Sequence, residues 1–419
     1  MAVAGWLLLL AFCVGPAAWG QTRTTVGPAD FEPVLAPAPG EERVHVKEFS
    51  LDSQPVTNAE FLAFVRAHPQ WRRDRVPSLF AEPDYLSHWA APDDLQGGDQ
   101  GKQPVSRVSW FAARAYCAAA GGRLPDWYEW ELAAAGHPDI RQSALWEWVE
   151  DFGSLMVSGD SRDQGDPDKL QFCGAGALSA QNRENYPILM RIAFLSSLEA
   201  RATARSLGFR CATAASAPAV GPTTIPPATA PPGSELPATA LPGGSLYQLG
   251  ISLETSDGRT IAFSSLGGQP LLLTMFYSQC TSVCPLITNQ LQLLDRRLAP
   301  GVRSRMRVLM VSLDPARDRR AGLRRFGEQH HITDPRWIVA RADPDGVRML
   351  AAALGVRYRQ LPDGSFNHST TIVLADIDGV VRARTSGVNS SDAELVRVAN
   401  SMVAATAANP RDGVPVRPR

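Results

Sequence analysis

Cys280 and Cys284 stand four positions apart, where an apolar run hands over to a stretch with helical spacing. A thiol at a helix start meets unpaired backbone amides and the positive end of the helix dipole, which stabilise its thiolate. Side chains four apart share one helix face, so both sulfurs can meet one ligand. Two thiolates are soft donors suited to Cu(I), and an imidazole suits copper in either oxidation state. A candidate imidazole is His368, in Asn367-His368-Ser369-Thr370, just before a predicted central strand. From pattern alone the pair stays open to several readings: a metal site, a redox-active dithiol, a structural disulfide, or two unrelated packed cysteines.

The elements around these residues alternate strand and helix patterns. Leu271 to Tyr277 and Arg307 to Leu313 have the length and apolar content of buried strands. Residues 285–298 carry Leu286, Leu291, Leu294 and Leu298 at helical spacing, and 317–330 and 345–354 read as further helices. Strand patterns at 370–375 and 380–384 flank Asp378-Gly379, a hairpin signal. A βαβ order with a ββα ending predicts a thioredoxin-like layered sheet. In such a sheet the His368 loop returns close to the cysteines.

The chain has 419 residues and a formal net charge of -1. That length predicts two domains, and the charge gives no argument for nucleic acid or an anionic membrane surface. Residues 1–20 read as a signal peptide: an apolar run from Trp6 to Val14, then Ala18-Trp19-Gly20 before Gln21. The expectation is an exported, periplasmic, soluble protein, touching the membrane only if that segment is uncleaved. Of six cysteines, export removes Cys13 and leaves Cys117, Cys173, Cys211, Cys280 and Cys284, an odd count in an oxidising compartment. Residues 214–244 are rich in Pro, Ala and Thr and nearly free of charge, a semi-extended linker able to separate two domains.

Before the linker the pattern is less regular. Helices are predicted at 59–67, with Thr57 or Asn58 as cap, and at 111–120 after Ser109. Scattered tryptophans and many Gly and Pro breaks give an α+β domain with long loops. Trp110, Trp127, Trp130, Trp146 and Trp148 are open to a place in its core or in a ligand platform.

Three segments of the second domain, Phe276 to Pro285, Val311 to Asp318 and Asn367 to Thr371, resemble the signature regions of the SCO/SenC family in order and approximate spacing. The resemblance covers residues 245–405. It implies a thioredoxin-like fold and one copper ion, Cu(I) or Cu(II), held by Cys280, Cys284 and His368, with Asp314 as a nearby acidic group. It also implies a role in assembling copper centres, above all that of cytochrome c oxidase, or in reducing the cysteines of such centres as a thiol-disulfide oxidoreductase. The partner is then a client copper protein, cytochrome oxidase or a denitrification reductase.

In the first domain, residues 31–213, the segments Pro55 to Phe61, Pro104 to Trp110, Gly122 to Pro125, Trp146 to Trp148 and Gly208 to Cys211 resemble the formylglycine-generating enzyme (sulfatase-modifying factor) family. The resemblance implies a loop-rich, C-type-lectin-like fold and a Cys117–Cys211 disulfide, leaving Cys173 over. Catalytic members hold copper through two cysteines ahead of the terminal Gly-Phe-Arg. Here the stretch from Gly174 to Ser206 has none. The interval from Glu131 to Trp146, where the family carries a long loop with calcium-binding groups, is also short. The first domain is therefore expected to be a non-catalytic recognition module for the client, against the alternative that it oxidises a peptide cysteine.

Overall fold

The computed structural model describes residues 21–34, 43–95, 97, 100–155, 186–214, 241–279, 283–361, 363–385 and 393–407. The first domain opens with four short strands: β1 (Arg23–Val26), β2 (Ala29–Phe31), β3 (Val44–Val46) and β4 (Phe49–Asp52). Helix α1 (Asn58–Ala67) begins at a capping box: the Thr57 hydroxyl accepts from Glu60 N at 3.3 Å and the Glu60 carboxylate accepts from Thr57 N at 2.8 Å. Ser109 caps α2 (Trp110–Ala119) in the same way, accepting from Ala112 N at 3.1 Å. Next comes α3 (Trp127–Gly136), started by a second capping box between Asp126 and Glu129. Its sequence has no apolar stripe because the core meets it on several sides, burying Trp127, Trp130, Ala133 and Ala134. After β5 (Trp146–Glu147) come α4 (Tyr186–Ser197), β6 (Leu207–Gly208) and β7 (Ala212–Ala214).

No large sheet unites these pieces. β1 and β7 flank β4 in one three-stranded sheet, β2 pairs with β3, and β5 pairs in parallel with β6. An aromatic core does the uniting, with Phe61, Phe64, Trp110, Trp130, Trp148 and Phe209 almost fully buried. Phe209 meets the edges of Phe61 and Tyr116 at centroid distances of 5.9 and 5.4 Å. Trp127 joins the buried set, and Trp146 is half-buried. A disulfide joins Cys117 on α2 to Cys211 beside β7. Among these apolar groups sits a fully buried ion pair, Arg210 on Glu147, bidentate at 2.8 and 2.9 Å.

The second domain is one seven-stranded sheet: β8 (Ser252–Thr255), β9 (Thr260–Ala262), β10 (Leu271–Phe276), β11 (Arg307–Ser312), β12 (Trp337–Arg341), β15 (Val373–Ala375) and β16 (Val381–Arg384). Their order is β16-β15-β10-β11-β12-β8-β9, with β10, β11 and β12 parallel. β13 (Tyr358–Gln360) and β14 (Phe366–His368) form a separate hairpin. Every residue of β10 is buried, since helices cover both faces, which is why its sequence does not alternate and is apolar but for Thr274, whose hydroxyl donates to Thr371 O at 2.8 Å. Leu271, Leu273 and Met275 face one core with α7 (Pro344–Leu354). Leu272 and Phe276 face the other, with α5 (Val283–Arg297), α6 (Arg320–Gln329) and α8 (Ala393–Ala407).

Helix α6 starts at Arg320, later than the spacing predicted, because residues 314–318 close a turn of their own: Asp318 N donates to Asp314 O at 2.9 Å. The hairpin β13–β14 and the strands β8, β9 and β12 have no clear alternating pattern in the sequence. Residues 1–20, 215–240 and Cys173 lie outside the described residues. At the borders of the expected linker, Ala214 pairs with Phe49, and Gly243 O accepts from Leu79 N at 2.9 Å. No helix of the described residues is long and apolar enough to cross a membrane.

Candidate metal centre

Three loops meet at the carboxyl ends of β10 and β11. The first leaves β10 through Tyr277, Ser278 and Gln279; Cys280 lies outside the described residues, and Cys284 sits in the first turn of α5. Nothing is described of the Cys284 side chain. The second loop, 313–319, follows β11. The third is the β13–β14 hairpin, which ends at His368.

His368 is buried, 7% exposed. Its ring stands nearly perpendicular to Tyr277 at 5.7 Å between centroids, so the hairpin end and the loop leading to Cys280 are in contact. Its Nδ1 lies 3.2 Å from the Ser369 carbonyl oxygen, a contact in which Nδ1–H donates and the lone pair falls to Nε2. Across the hairpin His368 is paired with Tyr358.

Asp314 is buried at 3% exposure, but it is not turned to a cation site of its own. Its carboxylate accepts from the Arg317 guanidinium and from Arg317 N. Arg317 in turn donates to Gly364 O at the hairpin and to Gln279 Oε1 at 3.4 Å, and lies over the Phe366 ring. One guanidinium thus ties all three loops. A second fastening is Asp318, 1% exposed. It accepts from Ser278 N at 2.9 Å, from the Ser278 hydroxyl and from Ser312 Oγ at 2.6 Å. Sequence reading singled out Asp314 and passed over Arg317 and Asp318. Among the described residues no group of three His, Cys, Asp or Glu could hold a metal, and Cys280 is not among them.

The first domain packs beside this hairpin. Ser154 Oγ donates to Tyr358 O at 2.6 Å, and Tyr358 is the residue opposite His368. Arg348 on α7 and Arg114 on α2 both donate to Glu150 Oε1, at 2.5 and 2.8 Å, and Arg114 also pairs with Asp345. A cavity of about 570 Å³ lies between the domains, bounded by Trp110, Asp151, Phe152, Arg348, Tyr358 and Phe366. Burial, and then the Asp126 carboxylate, push Asp151 up to about 7.

Residues 247–404 match the family model SCO1/SenC, and residues 15–154 match the sulfatase-modifying factor enzyme 1-like domain. The chain joins a SCO1/SenC domain to a sulfatase-modifying-factor-like domain. The formylglycine-generating enzyme of Streptomyces coelicolor is 34% identical over 128 residues, 24% of this chain and 41% of that protein. The inactive C-alpha-formylglycine-generating enzyme 2 of Mus musculus is 35% identical over 118 residues, 22% of this chain and 38% of that one. The chain thus spans about two fifths of the length of these curated relatives. Among solved structures, a putative electron transfer protein from Aquifex aeolicus VF5 is 25% identical, covering 37% of this chain and 90% of that one, with a TM-score of 0.34. Arabidopsis thaliana ScoI with copper bound is 18% identical, covering 37% and 96%, with a TM-score of 0.33. The SCO1/SenC domain is the thioredoxin-like sheet described above; the other is α+β.

Proposed function

We propose that the chain is an exported copper chaperone that carries one copper ion on Cys280, Cys284 and Nε2 of His368 and delivers it to a client copper enzyme. The observation that carries this reading is the contact of His368 with Tyr277, three residues before Cys280, which brings the one imidazole candidate against the cysteine loop. The donor set suits the cargo: two soft thiolates and an imidazole whose Nδ1 is engaged by a backbone carbonyl. Arg317 and Asp318 position the loops and do not bind the ion. Release of residues 1–20 and a periplasmic location belong to the same proposal.

Titration of the full chain with Cu(I) and Cu(II) tests it. If His368→Ala leaves both the affinity and the thiolate-to-copper charge-transfer bands unchanged, the three-ligand site is wrong. A second reading, thiol-disulfide oxidoreductase, is favoured by the place of Cys284 in the first turn of α5, where a thiolate is stabilised. Disulfide reductase activity retained by Cys280→Ser would remove that reading.

The first domain, with boundaries near residues 31 and 213, is proposed as the module that recognises the client, cytochrome oxidase or a denitrification reductase. Its contact with the hairpin through Ser154 supports this, since a client held there lies near the copper-carrying loops. Helix α4 and its flank carry no cysteine at the place where catalytic relatives need two. Formylglycine formed on a cysteine peptide by the purified chain would overturn the non-catalytic reading.

A further inference from the structure

Away from the copper-carrying loops, the first domain holds a buried charge that no side chain among the described residues balances. Two buried guanidiniums, Arg191 and Arg210, share one buried carboxylate, Glu147. Arg210 takes both oxygens of Glu147, and Trp130 Nε1 donates to one of them at 3.0 Å. Arg191, on α4, is 5% exposed. Its Nη2 donates to Leu145 O at 3.3 Å, and its Nη1 has no hydrogen-bond partner among the described residues. The guanidinium lies over Trp130, 3.9 Å from the ring centroid, and 5.4 Å from that of Trp146. A cavity of about 230 Å³ opens beside it, bounded by Arg191, Trp130, Trp146, Leu145, Ser143 and Arg141.

We propose that this cavity binds a carboxylate borne on a small apolar body, with Arg191 as its counter-ion and the indoles of Trp130 and Trp146 as its walls. A buried cation without an anion is costly, and a single negative charge closes the balance of this cluster. Burial pulls Arg191 down to about 10, with Glu147 opposing and Arg210 adding to the fall. A guanidinium matches a planar carboxylate through two parallel N–H bonds. The cavity is smaller than those that take drug-sized ligands, so it suits a short acid, or a single side chain or chain terminus of a polypeptide. The inference is independent of the copper reading.

Calorimetric titration of the full chain at constant ionic strength tests it. The probes are propionate, inorganic phosphate, and one short Leu-ending peptide with its C terminus free or amidated. Saturable binding of propionate supports the site with a free acid as ligand. Binding of the free-ended peptide alone, lost on amidation, supports it with a polypeptide terminus as ligand. Arg191→Gln is expected to weaken binding at least tenfold without lowering the melting temperature in anion-free buffer, because it removes an unbalanced charge. Ala144→Phe, at the exposed rim, is expected to block binding with Arg191 intact. No binding of either carboxylate probe, tighter binding of phosphate than of both, or unchanged binding in the two variants would overturn the proposal.

Discussion

The two domains are held together by opposite means. The SCO1/SenC domain strings seven of its strands into one sheet with a hydrophobic core on each face, so neighbouring elements support one another by area. The sulfatase-modifying-factor-like domain has strands of two to four residues in three separate sheets, and it closes by links between distant segments: a disulfide, a buried ion pair and edge-on aromatic contacts. A sheet fixes where its loops emerge, which suits a site assembled from three loops. A linked shell fixes distant segments of the chain against one another without a sheet. The comparison teaches that one chain can hold one domain by area and the other by links.

That contrast can be broken. The largest effect is expected from Arg210→Ala, which strands the buried Glu147 carboxylate. A loss of about 3–5 kcal/mol should fall on the first domain alone. Calorimetry resolving two transitions, with only one displaced, is the check; a joint shift would mean the domains unfold as one. Replacing Cys117 and Cys211 together by Ala should cost about 2–4 kcal/mol in that same transition and leave copper binding intact.

Glu131 sharpens the contrast through pH. Burial pushes its carboxyl from 4.5 up to about 7, against the lowering by Val34 N, which donates to it at 2.5 Å. The native state thus holds the proton more tightly than the unfolded chain. The stability this gives is complete below 4.5 and is lost as pH rises through about 7. Glu131→Gln should flatten that fall, by on the order of 2 kcal/mol across the window, and the difference between variant and parent melting curves measures it. The smallest effect is expected in the other domain. Arg317→Ala unties the three loops while keeping every proposed ligand, and copper affinity should drop about tenfold with the fold retained. An affinity unchanged by that variant would show that the sheet alone positions the loops.

The sequence made the second domain easier to read than the first, for a physical reason. Continuous burial of β10 and β11 writes itself as apolar runs, and α7 shows one apolar face; in α5 the buried face is Ile287, Leu291 and Leu294, while Leu286 of the predicted spacing is exposed. In the first domain α1 and α2 were legible from their caps, Thr57 and Ser109. Helix α3 was not, because a helix enclosed by core on several sides has no polar face to mark its period. At the candidate site, residue type marked Cys280 and Cys284 as a pair open to metal, redox or structural use, and the SCO/SenC resemblance joined His368 to them. The fastening by Arg317 and Asp318 was hidden, since both bond to backbone and side chains that only the folded loops bring near. The placement of Ser154 against Tyr358 lies wholly beyond sequence pattern.

The two contacts at Ala214 and Gly243 govern how the chain tolerates a change of length between them. Ala214 is paired with Phe49 of β4, and Gly243 O accepts from Leu79 N, a residue between α1 and α2 that also packs in the core of the second domain. The number of residues between two fixed points enters through the entropy of joining them, and each doubling costs about 0.6 kcal/mol. Insertions and deletions between residues 215 and 240 should therefore leave the two domains spaced as the Arg348–Glu150 and Ser154–Tyr358 contacts set them.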